Sequence, residues 1–256
     1  EVTFQVDVCR SVRPPRVRLP RGVLPIYDTY SVNTRPENLS QRTLSMESAF
    51  ADAGIKLSIA PQAMEINDTS TEFRSWSNAE LHLTMELNSH QLRNVSGPWP
   101  RWQIWGLIAG RHDDPLNRGM MFDASAFADS ATRQGFAVFV DHPELRRALV
   151  RTDTNTVDPQ AVRMLLRVLV HEAAHTFNLR HPNASALSWM NRSHIFDAEN
   201  PGASWWEQFP FSFTREELAH LRHGEFRDVA MGGNLTAPAL ADSSSFRNLP
   251  EVVNRP

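Results

Sequence analysis

Two histidines four residues apart, with a third six residues further on, constrain this chain more than any other feature. The segment reads His171-Glu-Ala-Ala-His175-Thr-Phe-Asn-Leu-Arg-His181. On a helix, side chains four apart lie about 40° from one another, so both imidazoles can reach one metal from one face. Glu172, one residue on, is placed to contact a water beside the metal rather than the metal itself. A third nitrogen must arrive from another direction to build a tetrahedral site with one open position. His181 does this if the helix stops near Asn178 and the chain reverses there. Asn is among the few non-glycine residues that tolerate the left-handed conformation such a reversal needs. On this ground alone Asn178→Gly is expected to be neutral or slightly stabilising. A lone histidine is usually an ordinary core or surface residue. Four side chains matching at fixed spacing arise by chance in about one chain in a thousand. The predicted set is zinc held by His171, His175 and His181, with Glu172 as general base.

The rest of the pattern frames that motif. Val2, Phe4, Val6 and Val8 alternate with Thr3, Gln5, Asp7 and Cys9, which predicts a half-buried strand over 2–8. Further strands are predicted over 26–32, 55–59, 102–109, 120–122 and 135–140. Helices are predicted over 36–53, stopped by Gly54, and over 78–87. A long helix with Asp158 as cap and Pro159 in its first turn carries the histidines. Thr214-Arg-Glu-Glu217 forms a capping box that opens a last helix ending at His223 and Gly224. Strands first and chemistry-bearing helices later indicate α+β or α/β architecture.

The motif resembles the signature of the metzincin clan of zinc metallopeptidases, H-E-x-x-H-x-x-G-x-x-H, with Asn178 in place of the glycine. Ser185-Ala-Leu-Ser-Trp-Met190-Asn is similar to the clan's methionine turn, which implies Met190 beneath the zinc. Residues 119–123 and 134–141 resemble the antiparallel edge strand above the cleft and its neighbour. Arg192 stands where astacin- and serralysin-like members carry a tyrosine ligand, so the resemblance is to the matrixin or adamalysin side. The implied fold is α+β with an α/β-like upper part. It has a twisted mixed sheet with an antiparallel edge strand, an active-site helix, the methionine turn and a C-terminal helix. The implied activity is hydrolysis of internal peptide bonds of proteins by a zinc-bound water that Glu172 activates. Peptide would pair with Gly119, Met120, Met121 and Phe122, and Trp205 and Trp206 would wall the side-chain pocket. Two other readings remain: a zinc hydrolase of a non-protein amide, such as a cell-wall amidase, and a non-catalytic domain with a structural zinc.

Composition excludes several classes. With 41% hydrophobic and 21% charged residues, the chain is globular rather than disordered. A net charge of −3 gives no basic field to recruit nucleic acid. No run approaches the ~18 apolar residues of a membrane span. The first residues carry no signal-peptide pattern, and the resemblance implies a secreted or exported, monomeric protein acting on protein or peptide substrates. The single cysteine, Cys9, excludes an intrachain disulfide. It reads as an inert structural residue rather than a latency thiolate. Oxygen-rich loops at 112–114, Asp123 and 141–144 suit solvated acids better than calcium, which the resemblance allows. The chain divides into an N-terminal strand with a Pro- and Arg-rich connector (1–25), the catalytic region (26–224) and a tail (225–256).

Overall fold

The computed structural model describes residues 1–12, 28–29, 43–59, 64–68, 75–89, 102–122, 134–148, 158–182, 186–192, 198–199 and 208–231. The architecture is mixed α/β, built on a mixed sheet. Its centre is β1 (Val2–Cys9). A separate antiparallel ribbon is formed by β2 (Asp28–Thr29) and β3 (Thr43–Leu44). Along one side of β1 run β4 (Leu57–Ile59) and then β5 (Glu65–Ile66), both parallel to it. On the other side lies β6 (Gln103–Ala109), also parallel. The edge beyond it is built by β7 (Gly119–Met121), antiparallel to β8 (Gly135–Phe139), which itself pairs parallel with β6.

The alternation over 2–8 predicts a half-buried strand, and the structure corrects this. Every residue of β1 except Thr3 is buried, Gln5, Asp7 and Cys9 included. The polar residues are tolerated because each finds partners inside. Asp7 accepts hydrogen bonds from Gln5 Nε2, Trp105 Nε1 and the Met64 N–H, each at 2.8 Å. Cys9 is fully enclosed, and burial beside Asp68 raises its thiol pKa far above the usual range. It is therefore no source of thiolate.

The first helix is shorter than the predicted 36–53. α1 (Met46–Ala51) begins at Ser45, whose hydroxyl accepts from the Ser48 N–H while Ser48 Oγ accepts from the Ser45 N–H. Leu44 before it belongs to β3, and 36–42 lie outside the described residues. α2 (Asn78–Asn88) is capped in the same way by Ser77 and Glu80. α3 (Pro159–Thr176) packs along β7 and β8 through Leu165, Val168, Leu169 and neighbouring apolar residues. α4 (Arg215–His223) opens on the predicted capping box of Thr214 and Glu217. The chain continues past Gly224 into α5 (Phe226–Val229), and Val229, Ala230 and Met231 are buried. No described helix is long and apolar enough to cross a membrane.

Candidate metal centre

α3 delivers His171 and His175 from one face, one turn apart. It ends in two backbone bonds, Asn178 N–H to His175 O (2.9 Å) and Leu179 N–H to Ala174 O (3.4 Å). This is the Schellman pattern, which needs a left-handed residue just past the helix. Asn178 supplies it with φ of +65°. The reversal brings His181 back against its two partners. The Nε2 atoms then stand 3.0 Å apart for His171 and His181, and 3.2 Å apart for each pair that includes His175. Zinc bound tetrahedrally at 2.0–2.1 Å sets its nitrogens about 3.3 Å apart, so the triad fits the ion closely.

The far sides of two rings explain why the nitrogens meet. His171 Nδ1 lies 2.7 Å from Trp189 O, and His175 Nδ1 lies 2.8 Å from Leu179 O. A ring nitrogen facing a carbonyl carries the proton, so each Nε2 turns a bare lone pair inward. One cation satisfies all three nitrogens at once. Burial also keeps the rings neutral. It drives His171 well below its ordinary value, and His175 down to about 4, with Arg167 adding to both shifts.

Glu172 is buried beside the triad, and its carboxyl is pushed up to about 8 by burial. Arg167, the Met121 N–H and Arg118 oppose that rise. Among the described residues the three histidines form the one set with metal-ligand spacing, and no fourth side chain joins them. The candidate calcium loops are bonded within the protein instead. Asp113 accepts from Ser75 (2.5 Å), Asp114 from the Leu116 N–H (3.0 Å), and Glu144 pairs with Arg118 (2.8 Å). Asp123 lies outside the described residues.

Met190 is fully buried in the turn whose Trp189 carbonyl holds His171. That turn is fixed from several directions. Ser188 Oγ accepts from the Met190 N–H (3.0 Å) and donates to Glu217 on α4 (2.5 Å). The Trp189 N–H donates to Ser212 O (3.1 Å), and Arg167 on α3 donates to Asn191 O. Sequence reasoning missed Arg163 and Arg167. Spaced four apart and in line with His171, both are buried, Arg167 against Asn191 and Arg163 over the Phe211 ring. That spacing was the available signal.

The predicted substrate residues divide. Gly119, Met120 and Met121 form β7, the edge strand among the described residues, beside α3. Phe139 N–H bonds Arg118 O, so in this register Met120 pairs with Ala137, and the N–H and C=O of Gly119 and Met121 face outward. The side chains of Met120, Met121 and Phe122 are buried, with Phe122 edge-on to Trp105. The strand therefore offers a peptide its backbone. Trp205 and Trp206 lie outside the described residues.

No known family matches the sequence, and no curated protein does. Among solved structures the chain is similar to archaemetzincin from Methanopyrus kandleri, at 12% identity and a TM-score of 0.45, over 87% of this chain and 94% of that one. It is also similar to a zinc-dependent peptidase from Methanocorpusculum labreanum, at 12% identity and a TM-score of 0.46, over 86% and 100%. Neither likeness carries the chemistry, which rests on the triad itself.

Proposed function

We propose that this chain is a zinc-dependent metalloendopeptidase of metzincin type. The observation that carries the reading is the meeting of three histidine Nε2 atoms within 3.2 Å, two of them held bare by carbonyls on their far side. The left-handed Asn178, the turn at Met190 and the antiparallel edge strand support the metzincin assignment. His171, His175 and His181 would hold the ion. Bound there, zinc supplies Lewis acidity that acidifies water and polarises a carbonyl.

The chain's own groups do the rest. A peptide adds to the outer edge of β7 through the backbone groups of Gly119 and the Met121 carbonyl, the Met121 N–H being engaged by Glu172. Glu172 takes a proton from the attacking water at its carboxylate, then gives it to the leaving amine nitrogen. Its burial strengthens that exchange by excluding bulk water. A structural zinc would be closed by a fourth protein ligand. Among the described residues the set is three nitrogens beside a buried carboxylate, which favours catalysis instead.

Elemental analysis of the purified protein should find one zinc per chain. Wild type should cleave casein and leave peptidoglycan intact. Glu172→Ala should keep the metal and the fold and lose about two to four orders of magnitude in kcat. A protein without stoichiometric zinc, or a Glu172→Ala variant with wild-type turnover, would overturn the reading.

A further inference from the structure

At Gly119 the edge strand passes so close to α3 that no side chain fits between them. A Cβ on Gly119 would lie 2.6 Å from Val168 Cγ1, 2.9 Å from Glu172 Cγ and 3.1 Å from Ala137 O. None of these is the free end of a flexible side chain. Val168 and Glu172 are buried on α3, and Ala137 O belongs to the backbone of β8. The backbone of Gly119 is not left-handed, so space alone demands the glycine.

The strand has little room to retreat. It is hydrogen-bonded to β8 behind it, and the side chains of Met120 and Met121 are packed in the core. A methyl at 119 would therefore have to displace both Val168 and the Glu172 stem. The carboxylate is gripped at its other end by the Met121 N–H. Gly119 and Met121 thus bracket one side chain, the first by leaving space for its stem and the second by bonding its head.

We infer that Gly119 is a positioning residue for Glu172: its missing side chain sets where the carboxylate stands relative to the three histidines. The consequence for turnover rests on the reading of Glu172 as the proton carrier, whereas the coupling between Gly119 and Glu172 does not.

Gly119→Ala tests both parts. In zinc-loaded protein kcat should fall about 100-fold, the cost of a displacement near 1 Å, with KM within about threefold and zinc still stoichiometric. In metal-free protein the Met121 amide should exchange at least about tenfold faster, approaching its rate in Glu172→Ala. Gly54→Ala, which puts a side chain on a left-handed residue (φ +77°) just past α1, should lower the melting temperature and leave Met121 exchange alone. The stability lost to Gly119→Ala should largely return in a Val168→Ala, Glu172→Ala background, which lacks both crowding carbons. This arm decides the matter even where the single variant folds poorly.

Unchanged Met121 exchange with unchanged kcat, or an undiminished penalty in that background, would overturn the inference. Wild-type turnover by Glu172→Ala would instead sink the proposed function, while exchange and the stability cycle would still decide the role of Gly119.

Discussion

At Asn178 the backbone favours glycine and the side chain favours an amide. The left-handed φ costs asparagine about 1 kcal/mol relative to glycine. Against that, Asn178 Nδ2 donates to Asp228 O (2.7 Å) and Ala230 O (3.3 Å), at the end of α5. Removing the amide leaves buried carbonyls without that donor, at about 1–3 kcal/mol. The structure therefore reverses the expectation from sequence for Asn178→Gly. The variant should lose about 1 kcal/mol, read by urea unfolding, and should loosen 228–230 in hydrogen exchange while keeping zinc. Stability equal to or above wild type would show that the amide contributes nothing. The left-handed turn itself was legible because it follows from four residues of local geometry. The amide's partners were not, since they lie 50 and 52 residues away.

Among the elements, the turn at Met190 and the start of α4 behave as one unit. Glu217 caps α4 through the Thr214 N–H (2.7 Å) and also receives the Ser188 hydroxyl, while its second oxygen, Oε1, is buried without a hydrogen bond. Burial is the main reason its carboxyl sits above the ordinary range. A raised folded pKa favours the protonated form. The associated stability is present below the ordinary value near 4.5 and lost as pH rises through the raised one. Glu217→Gln keeps an oxygen for both donors and removes the charge. Its melting temperature relative to wild type should therefore climb between pH 4 and pH 8, and a constant difference would refute this. Ser188→Ala acts on the metal instead, because the Ser188 hydroxyl holds the turn that presents Trp189 O to His171. It should weaken zinc about 10- to 100-fold, as outer partners of metal ligands do, measured by competition with a chelator. The capping box was readable from sequence. Its second duty was not, because Ser188 lies 29 residues before Glu217.

For the whole molecule, β1 is the spine of the sheet, paired with β4 and β5 on one side and β6 on the other. The alternation in 2–8 was legible as a strand. Its burial on both faces was not, because what makes Asp7 acceptable inside is Trp105, 98 residues on, and the Met64 N–H, 57 residues on. Asp7→Ala strips the partner from both buried donors and from Gln5. It should cost about 3 kcal/mol or more in denaturant unfolding, with the sheet loosened around β6. A loss below about 1 kcal/mol would mean that the network is dispensable. The overall plan, strands and then the histidine-bearing helix, could be read because periodicity is local, whereas the strand order could not.

The central place of β1 also shapes how the chain acquires its structure. Thr3 pairs with Gln103 and Val8 with Ile108, so β1 must wait for a hundred further residues before its neighbour β6 exists. Such distant parallel pairings carry a large loop-closure cost before any contact rewards them, and chains of this kind fold slowly. Until β6 emerges, the apolar edge of β1 is an unclosed template, open to pairing with another chain. The same arrangement places assembly of the metal centre last. α3 follows every described strand, so in order of synthesis the histidines emerge after those strands.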